Sequence, residues 1–140
     1  MDPFDLRKWG EFHRSGGDSN TPAIVDQIVI DSRRIDSPKA LFVALKGKHE
    51  DGHSYVKNAA LAGAKYALVA RDWQPPADIS NITLIHVDDP LQALQEIAKS
   101  YRLQLPIKLI GITGSFGKTM VKDLAYLFLK KEKKLDEHKN

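Results

Sequence analysis

The chain has 140 residues, 42% of them hydrophobic and 28% charged, and no cysteine. That length and balance suit one globular domain with a real core, leave little room for two complete ones, and exclude a disulfide framework or a thiolate metal site. The formal charge is +3, and Lys130 to Asn140 supplies +2 of it with five lysines against Glu132, Asp136 and Glu137, so the rest is near neutral and a general nucleic-acid surface is not indicated.

The start, MDPFDLRKWGEF, carries charges where a secretory signal has an apolar core. No run approaches the roughly 18 apolar residues of a membrane span, so a cytoplasmic protein in a reducing compartment is expected. Phe4 to His13 reads as a short helix carrying Trp9 and Phe12, and Ser15 to Pro22 as a loop. Five apolar runs then follow: Ala23 to Ile30, Ala40 to Leu45, Tyr66 to Ala70, Ile82 to Val87 and Ile107 to Ile112. Each is short, β-branched or aromatic, and bounded by Gly, Pro, Asp or Asn, which is the pattern of strands. Two helices lie between them. One is capped by Ser54 and stopped at Gly63; the other opens at Asp89-Pro90 and places Leu91, Leu94, Ile97, Ala98 and Tyr101 on one face. The fold class is α/β with a small mixed sheet.

Gly111 to Thr119 read GITGSFGKT, between the last strand candidate and the helical spacing of KTMVKDLAYLFLKK. Strand, glycine turn and helix in that order form the context of a phosphate-binding loop. Glycines let backbone N–H groups turn inward onto phosphate oxygens, and the helix N-terminus favours negative charge. Lys118 would reach the outer phosphates, and the Thr119 hydroxyl would help hold Mg²⁺. The strict pattern requires glycine at position 112, where Ile112 stands; Gly111 is one residue early. The plainer alternative is a glycine turn capping an ordinary helix.

His49 to His53 read HEDGH, the H-E-x-x-H of zinc proteases. That chemistry needs both histidines on one helical face, and Gly47, Gly52 and the Asp51-Gly52 turn dipeptide argue against a helix here. A polar loop, touching a ligand or simply solvated, suits the stretch better. Asp31 to Arg34 read DSRR directly after a strand candidate, where an arginine can grip a carboxylate or phosphate with two parallel bonds. A solvated surface turn is the competing reading.

Taken in order, DSRRIDSPKALFVALKGKHEDGHSYVKNAALAGAKYALVA and GITGSFGKT resemble the beginning of a Mur ligase, the ATP-dependent family that builds the peptidoglycan stem peptide. Five landmarks stand in register from Ile28 to about Asp123: the Asp-Ser-Arg turn, the strand ending in Lys-Gly, the Asp-Gly-His turn, the helix ending Gly-Ala, and the phosphate loop. The GITGS opening, the spacing from Lys118 to Asp123 and the FVALKG…DGH wording are most similar to the members that add D-alanyl-D-alanine, and less to those that add the third residue.

The resemblance implies an N-terminal domain, residues 1–105, that binds the UDP end of a UDP-N-acetylmuramoyl-peptide. Its contacts would be Ser32 and Arg33, with Lys46, Gly47, Lys48, His49, Glu50, Asp51, Gly52 and His53. Residues 106–140 would begin an ATP-binding central domain, with Thr113, Gly114, Ser115, Phe116, Gly117, Lys118 and Thr119 around ATP, Lys118 in the catalytic role, and Thr119 on Mg²⁺. Met120 and Phe116 depart from the family's usual residues at their positions, which leaves the loop's fine geometry open. The implied reaction joins D-alanyl-D-alanine to the peptide carboxylate through an acyl phosphate, with Lys118 and Mg²⁺ neutralising charge.

A phosphate-loop domain needs several parallel strands and acidic Mg²⁺ ligands, which Met120 to Asn140 do not supply. The expectation is therefore an N-terminal fragment of a longer ligase, inactive alone, in which Ile107 to Ile112 lack neighbouring strands. Two other classes stay open: a stand-alone UDP-sugar-binding module and a small phosphate-loop NTPase.

Overall fold

The computed structural model describes residues 4–6, 13–15 and 23–137. The chain divides into two compact units, Met1–Leu105 and Pro106–Asn140.

The first unit is built on a five-stranded mixed sheet. Its strands are β2 (His13–Ser15), β4 (Gln27–Val29), β5 (Ala40–Val43), β6 (Tyr66–Ala70) and β7 (Thr83–Val87), in the order β2-β7-β6-β5-β4. β4 to β7 run parallel, and β2 adds an antiparallel edge, pairing His13 with His86 and Ser15 with Leu84. A separate two-stranded pairing joins β1 (Phe4–Asp5) to β3 (Ile24–Val25). The predicted helix over Phe4 to His13 is therefore wrong at both ends, which are strands, and Ser15 closes β2 rather than opening a loop. Residues 7–12 and 16–22, with Trp9 and Phe12, lie outside the described residues. The run Ala23 to Ile30 also divides: Asp26 interrupts it, and its carboxylate accepts a bond from the Ser37 hydroxyl at 2.5 Å, so β3 and β4 join different sheets.

Both faces of the parallel strands are covered, and this accounts for their unbroken apolar runs. Alternate residues point to opposite faces. Leu41, Val43, Tyr66, Leu68 and Ile85 pack with Ala93 and Ile97 of helix α2 (Pro90–Gln104), together with Leu6, Ala23 and Val25. Ala40, Phe42, Ala44, Ala67, Val69 and Leu84 pack with Val56 and Ala59 of helix α1 (Val56–Leu61). The side toward α1 is mostly alanine, leaving Phe42 as its large filler. Full burial of such a side chain contributes roughly 1.5–3 kcal/mol.

The two helices differ in how they start. α2 follows the predicted signal: Asp89 caps it, with Oδ1 accepting from Leu91 N–H at 2.8 Å and Gln92 N–H at 3.2 Å, and Pro90 opens it. Its buried face is centred on Ala93 and Ile97 with Leu94 and Tyr101 beside them, while Leu91 and Ala98 are exposed. Ser54 does not cap α1, whose first turn has no side-chain cap; the capping side chain in this stretch is Asp51. Asp51 starts a 3-10 turn, Gly52–Tyr55, that runs into the helix. Gly63 stops α1 as expected, with φ +96°.

In the second unit, residues 106–117 have no regular structure, and helix α3 spans Lys118–Glu137. Ile107 to Ile112 do not form the predicted strand. An extended segment becomes a strand only beside another that pairs with its N–H and C=O groups, and no strand of either sheet pairs with this run among the described residues.

Candidate functional site

Four chain segments leave the parallel strands at one edge of the sheet, their carboxyl ends, which is where open α/β sheets bind ligands. They are Asp31–Arg34 after β4, Lys46–His53 after β5, Arg71–Gln74 after β6 and Asp88–Leu91 after β7. Two of them carry the residues singled out in the sequence.

The first is a 3-10 turn, Ser32–Arg34, capped by Asp31. Ser32 is buried. Arg33 folds back on the cap, donating from Nε to Asp31 Oδ1 at 2.9 Å and from Nη2 to Oδ2 at 2.8 Å, while its backbone N–H also reaches Oδ1 at 3.1 Å. The Arg33 side-chain bond, and then its backbone N–H, hold the Asp31 carboxyl down at about 2. Asp31 in turn raises the Arg33 guanidinium, and Tyr55, just past the second segment, and Glu50 within it add to that. The Asp-Ser-Arg turn and the histidine-rich loop thus share one electrostatic neighbourhood.

The second segment is a tight excursion. Gly47 N–H donates to the Glu50 carbonyl at 2.8 Å, Lys46 and Asp51 bridge in antiparallel fashion, and Gly52 N–H returns to the Leu45 carbonyl at 2.8 Å. Lys46, Gly47, Lys48, His49 and Glu50 are all exposed on it. Tyr55 donates from its hydroxyl to Glu50 Oε2 at 3.1 Å, and that carboxylate raises the Tyr55 phenol. HEDGH is therefore a turn followed by a 3-10 turn, and its two histidines do not share a helical face. His53 is buried. Its Nδ1 lies 2.5 Å from Asp51 Oδ1, its Nε2 accepts from Ala70 N–H at 2.9 Å, and its ring tilts against Trp73 at 5.4 Å. Asp51 takes the His53 backbone N–H as well, and these bonds lower its carboxyl.

Between the segments that follow β5, β6 and β7 lies a groove of about 860 Å³ lined by Lys46, Gly47, Asp51 and His53 together with Asp72, Trp73, Asp88 and Leu91, among others. Ser32 and Arg33 are not in its lining; they flank the loop instead. Asp72, Trp73 and Asp88 were not marked in the sequence, although each lies within three residues of a strand's carboxyl end, and that position was the available signal. Asp88 is partly engaged by Arg71, whose Nε lies 3.1 Å from its Oδ1.

The phosphate-loop residues lie in the second unit. Gly114 and Gly117 take φ of +144° and +76°, conformations that side-chain-bearing residues rarely adopt, and α3 begins immediately after, at Lys118. Lys118 Nζ donates to the Gly114 carbonyl at 2.6 Å, which curls the lysine over its own loop. Thr113 to Thr119 are exposed, Phe116 at 95%. Two left-handed glycines, a helix N-terminus and a lysine poised over the turn are the donor set a nucleotide's phosphates require, so these residues fit ATP. Along α3, Met120, Val121, Leu124, Leu127 and Phe128 form an apolar stripe, each 47–70% exposed.

A strand-built α/β unit with its loops gathered at the carboxyl edge, followed by a glycine turn and a helix, defines an α/β protein class. The model of the family described as "Mur ligase family, catalytic domain" matches residues 24–102, and the chain belongs to that family. The UDP-N-acetylmuramoyl-tripeptide–D-alanyl-D-alanine ligase of Bacillus subtilis is 41% identical over 106 residues, covering 76% of this chain and 22% of that protein. A UDP-N-acetylmuramoyl-L-alanyl-D-glutamate–2,6-diaminopimelate ligase of Chlorobaculum tepidum is 38% identical over 108 residues, covering 76% and 20%. Among solved structures, the UDP-N-acetylmuramoylalanyl-D-glutamyl-2,6-diaminopimelate–D-alanyl-D-alanyl ligase of Acinetobacter baumannii superposes with a TM-score of 0.74 at 28% identity, over 94% of this chain and 29% of that one. MurF ligase of Thermotoga maritima, solved in complex with ADP, gives 0.62 at 28% identity over 75% and 23%. The chain thus spans about a fifth of the length of the curated relatives it matches. The likeness to D-alanyl-D-alanine-adding members read from the sequence agrees with these matches.

Proposed function

We propose that these residues form the substrate-recognition part of a MurF-like peptidoglycan-precursor ligase acting in the cytoplasm, and that the first unit, residues 1–105, binds the UDP end of UDP-N-acetylmuramoyl-tripeptide. The observation that carries this reading is the placement of the Ser32–Arg33 turn and the Lys46–His53 loop side by side at the carboxyl edge of β4 and β5. Lys46, Lys48 and Arg33 supply exposed cations for a diphosphate, and Gly47 leaves its backbone open to close approach. Ser32, His49, Glu50, Asp51 and Gly52 complete the contact surface, with Ser32 and Asp51 shaping it more than reaching out. No nucleic acid is part of this reading, and among the described residues no helix is long and apolar enough to cross a membrane.

The second unit, residues 106–140, contributes the ATP loop. Lys118 would leave the Gly114 carbonyl and neutralise the outer phosphates, while the backbone around Ser115, Phe116 and Gly117 orients them and the Thr119 hydroxyl meets Mg²⁺. When bound, ATP supplies the phosphoryl group that activates the peptide carboxylate for D-alanyl-D-alanine. The acidic Mg²⁺ ligands and the dipeptide site would come from protein beyond these residues, so the 140-residue chain alone is predicted to be inactive.

Separate titrations with UDP and with ATP, read by amide chemical shifts, test this. UDP is expected to move Ser32, Arg33, Lys46 and His49, and ATP to move Gly114 and Lys118. A chain that answers to ATP alone would be a phosphate-loop NTPase instead, and silence at Arg33 and Lys46 with UDP would refute the substrate assignment.

A further inference from the structure

His53, like Ser32, is a member of the predicted contact set whose side chain is turned away from solvent, at 8% exposure. Both ring nitrogens already have protein partners. Ala70 N–H is a permanent donor, so the Nε2 it points at, 2.9 Å away, carries a lone pair. The proton of the neutral ring then sits on Nδ1 and is donated to Asp51 Oδ1 at 2.5 Å. A doubly protonated ring would set two N–H donors against each other at Nε2.

The partners themselves are informative. Ala70 is the last residue of β6, and Asp51 closes the exposed excursion that starts at Lys46. Asp51 holds His53 twice, through the ring and through the backbone N–H at 3.0 Å. Gly52 adds a tie to Leu45. Burial alone requires both ring nitrogens to be hydrogen-bonded; here the bonds join one loop residue, Asp51, to one strand end, Ala70.

We propose that His53 is a positioning residue: as the Nδ1–H tautomer it ties the Lys46–Gly52 loop to the carboxyl end of β6 and so sets where that loop meets the diphosphate end of the nucleotide. The inference rests on the loop's role in UDP binding, but the tie itself is independent of it. Trp73 closes over the ring from the segment after β6, so the same imidazole also fixes one wall of the groove.

The test uses the full chain and three variants. His53→Phe keeps the ring shape and removes both bonds. His53→Gln can place its carbonyl oxygen where Nε2 stands and accept from Ala70, and His53→Asn can place its amide where Nδ1 stands and donate to Asp51. Long-range ¹H–¹⁵N spectra of the native ring are expected to show Nδ1 protonated and Nε2 bare; the opposite tautomer overturns the proposal. Hydrogen exchange at Ala70 and Gly52 is expected to quicken in His53→Phe while Leu68 in mid-strand stays protected, and His53→Gln is expected to recover Ala70. UDP affinity is expected to fall about threefold to tenfold in His53→Phe, the ratio that follows from losing one net hydrogen bond, and to recover in part in His53→Gln. Native exchange and affinity in His53→Phe would overturn the proposal. If His53→Phe fails to fold, the Gln and Asn variants decide: wild-type protection and affinity in both would overturn it. A native chain that shows the predicted tautomer and protection yet ignores UDP would refute the substrate reading and leave the tie standing.

Discussion

Asp31 and Arg33 close a ring within three residues, the guanidinium meeting the carboxylate at 2.9 and 2.8 Å on the same turn whose backbone the carboxylate caps. The Asp31 carboxyl sits at about 2 against a usual 3.8. Because the folded value lies below the unfolded one, the pair stabilises the turn in full above roughly pH 4 and that contribution is lost as pH falls through the folded value. Both groups reach solvent, so salt weakens the effect. Following the Asp31 carboxyl carbon by NMR should give a midpoint near 2 that moves up toward 3.8 in Arg33→Ala; a midpoint indifferent to Arg33 would dissolve the pair.

Gly52 leaves no room for a side chain, since a Cβ there would stand 2.7 Å from both the N and the O of Leu45. Backbone atoms cannot swing aside as a flexible side chain can. Gly52→Ala should therefore cost about 1–3 kcal/mol in denaturant unfolding, the range of overpacking, and should loosen the Lys46–Asp51 bridge. Unchanged stability with unchanged Gly47 and Gly52 amide protection would contradict this.

Lys118 holds the Gly114 carbonyl at 2.6 Å with an ammonium that ATP phosphates would recruit. Removing the charge in Lys118→Ala should weaken ATP binding by about tenfold or more, as for a lost hydrogen bond to a charged group. Isothermal titration of the two chains with ATP measures the ratio. Equal affinities would mean that the lysine's place is over its own loop and nowhere else.

Asp89 caps α2 through two backbone N–H groups at 2.8 and 3.2 Å. Asp89→Ala should lower stability by ~1 kcal/mol and Asp89→Asn by much less, because asparagine also caps. Urea midpoints of the three proteins would show it, and an Ala variant as stable as the Asn variant would rule the cap out.

Legibility in the sequence followed how local the cause was. The cap and proline at Asp89-Pro90, the stop at Gly63 and the strand Tyr66–Ala70 are written in adjacent residues, and all were readable. β1 and β2 were not. They hold two and three residues, too few for a period to show, and they are strands because Val25 and Leu84 lie ready to pair with them. Ile107 to Ile112 failed the opposite way, with strand-like residues and no paired strand among the described residues. Ser54 does not cap α1 because a 3-10 turn, capped by Asp51, comes before the helix, a detail that hydrophobic spacing does not report. Both loops were marked as turns from motif and turn chemistry, while their contacts with UDP were implied by the family resemblance alone. The inward turn of His53 and the Trp73 wall were not legible, because they depend on β6 ending beside the loop, which only the sheet order determines.

The sheet order also governs when the first unit can be assembled. β2 lies near the start of the chain and pairs with β7, about seventy residues later, whereas each of the parallel pairs from β4 to β7 joins strands consecutive in sequence. A growing chain can therefore lay down β4, β5 and β6 in turn, but β2 has no place to dock until Val87 has been synthesised, and closing so long a loop is the entropically slow step. Until then the early segment must wait without its partner, and the exposed edge of β7 is sealed last.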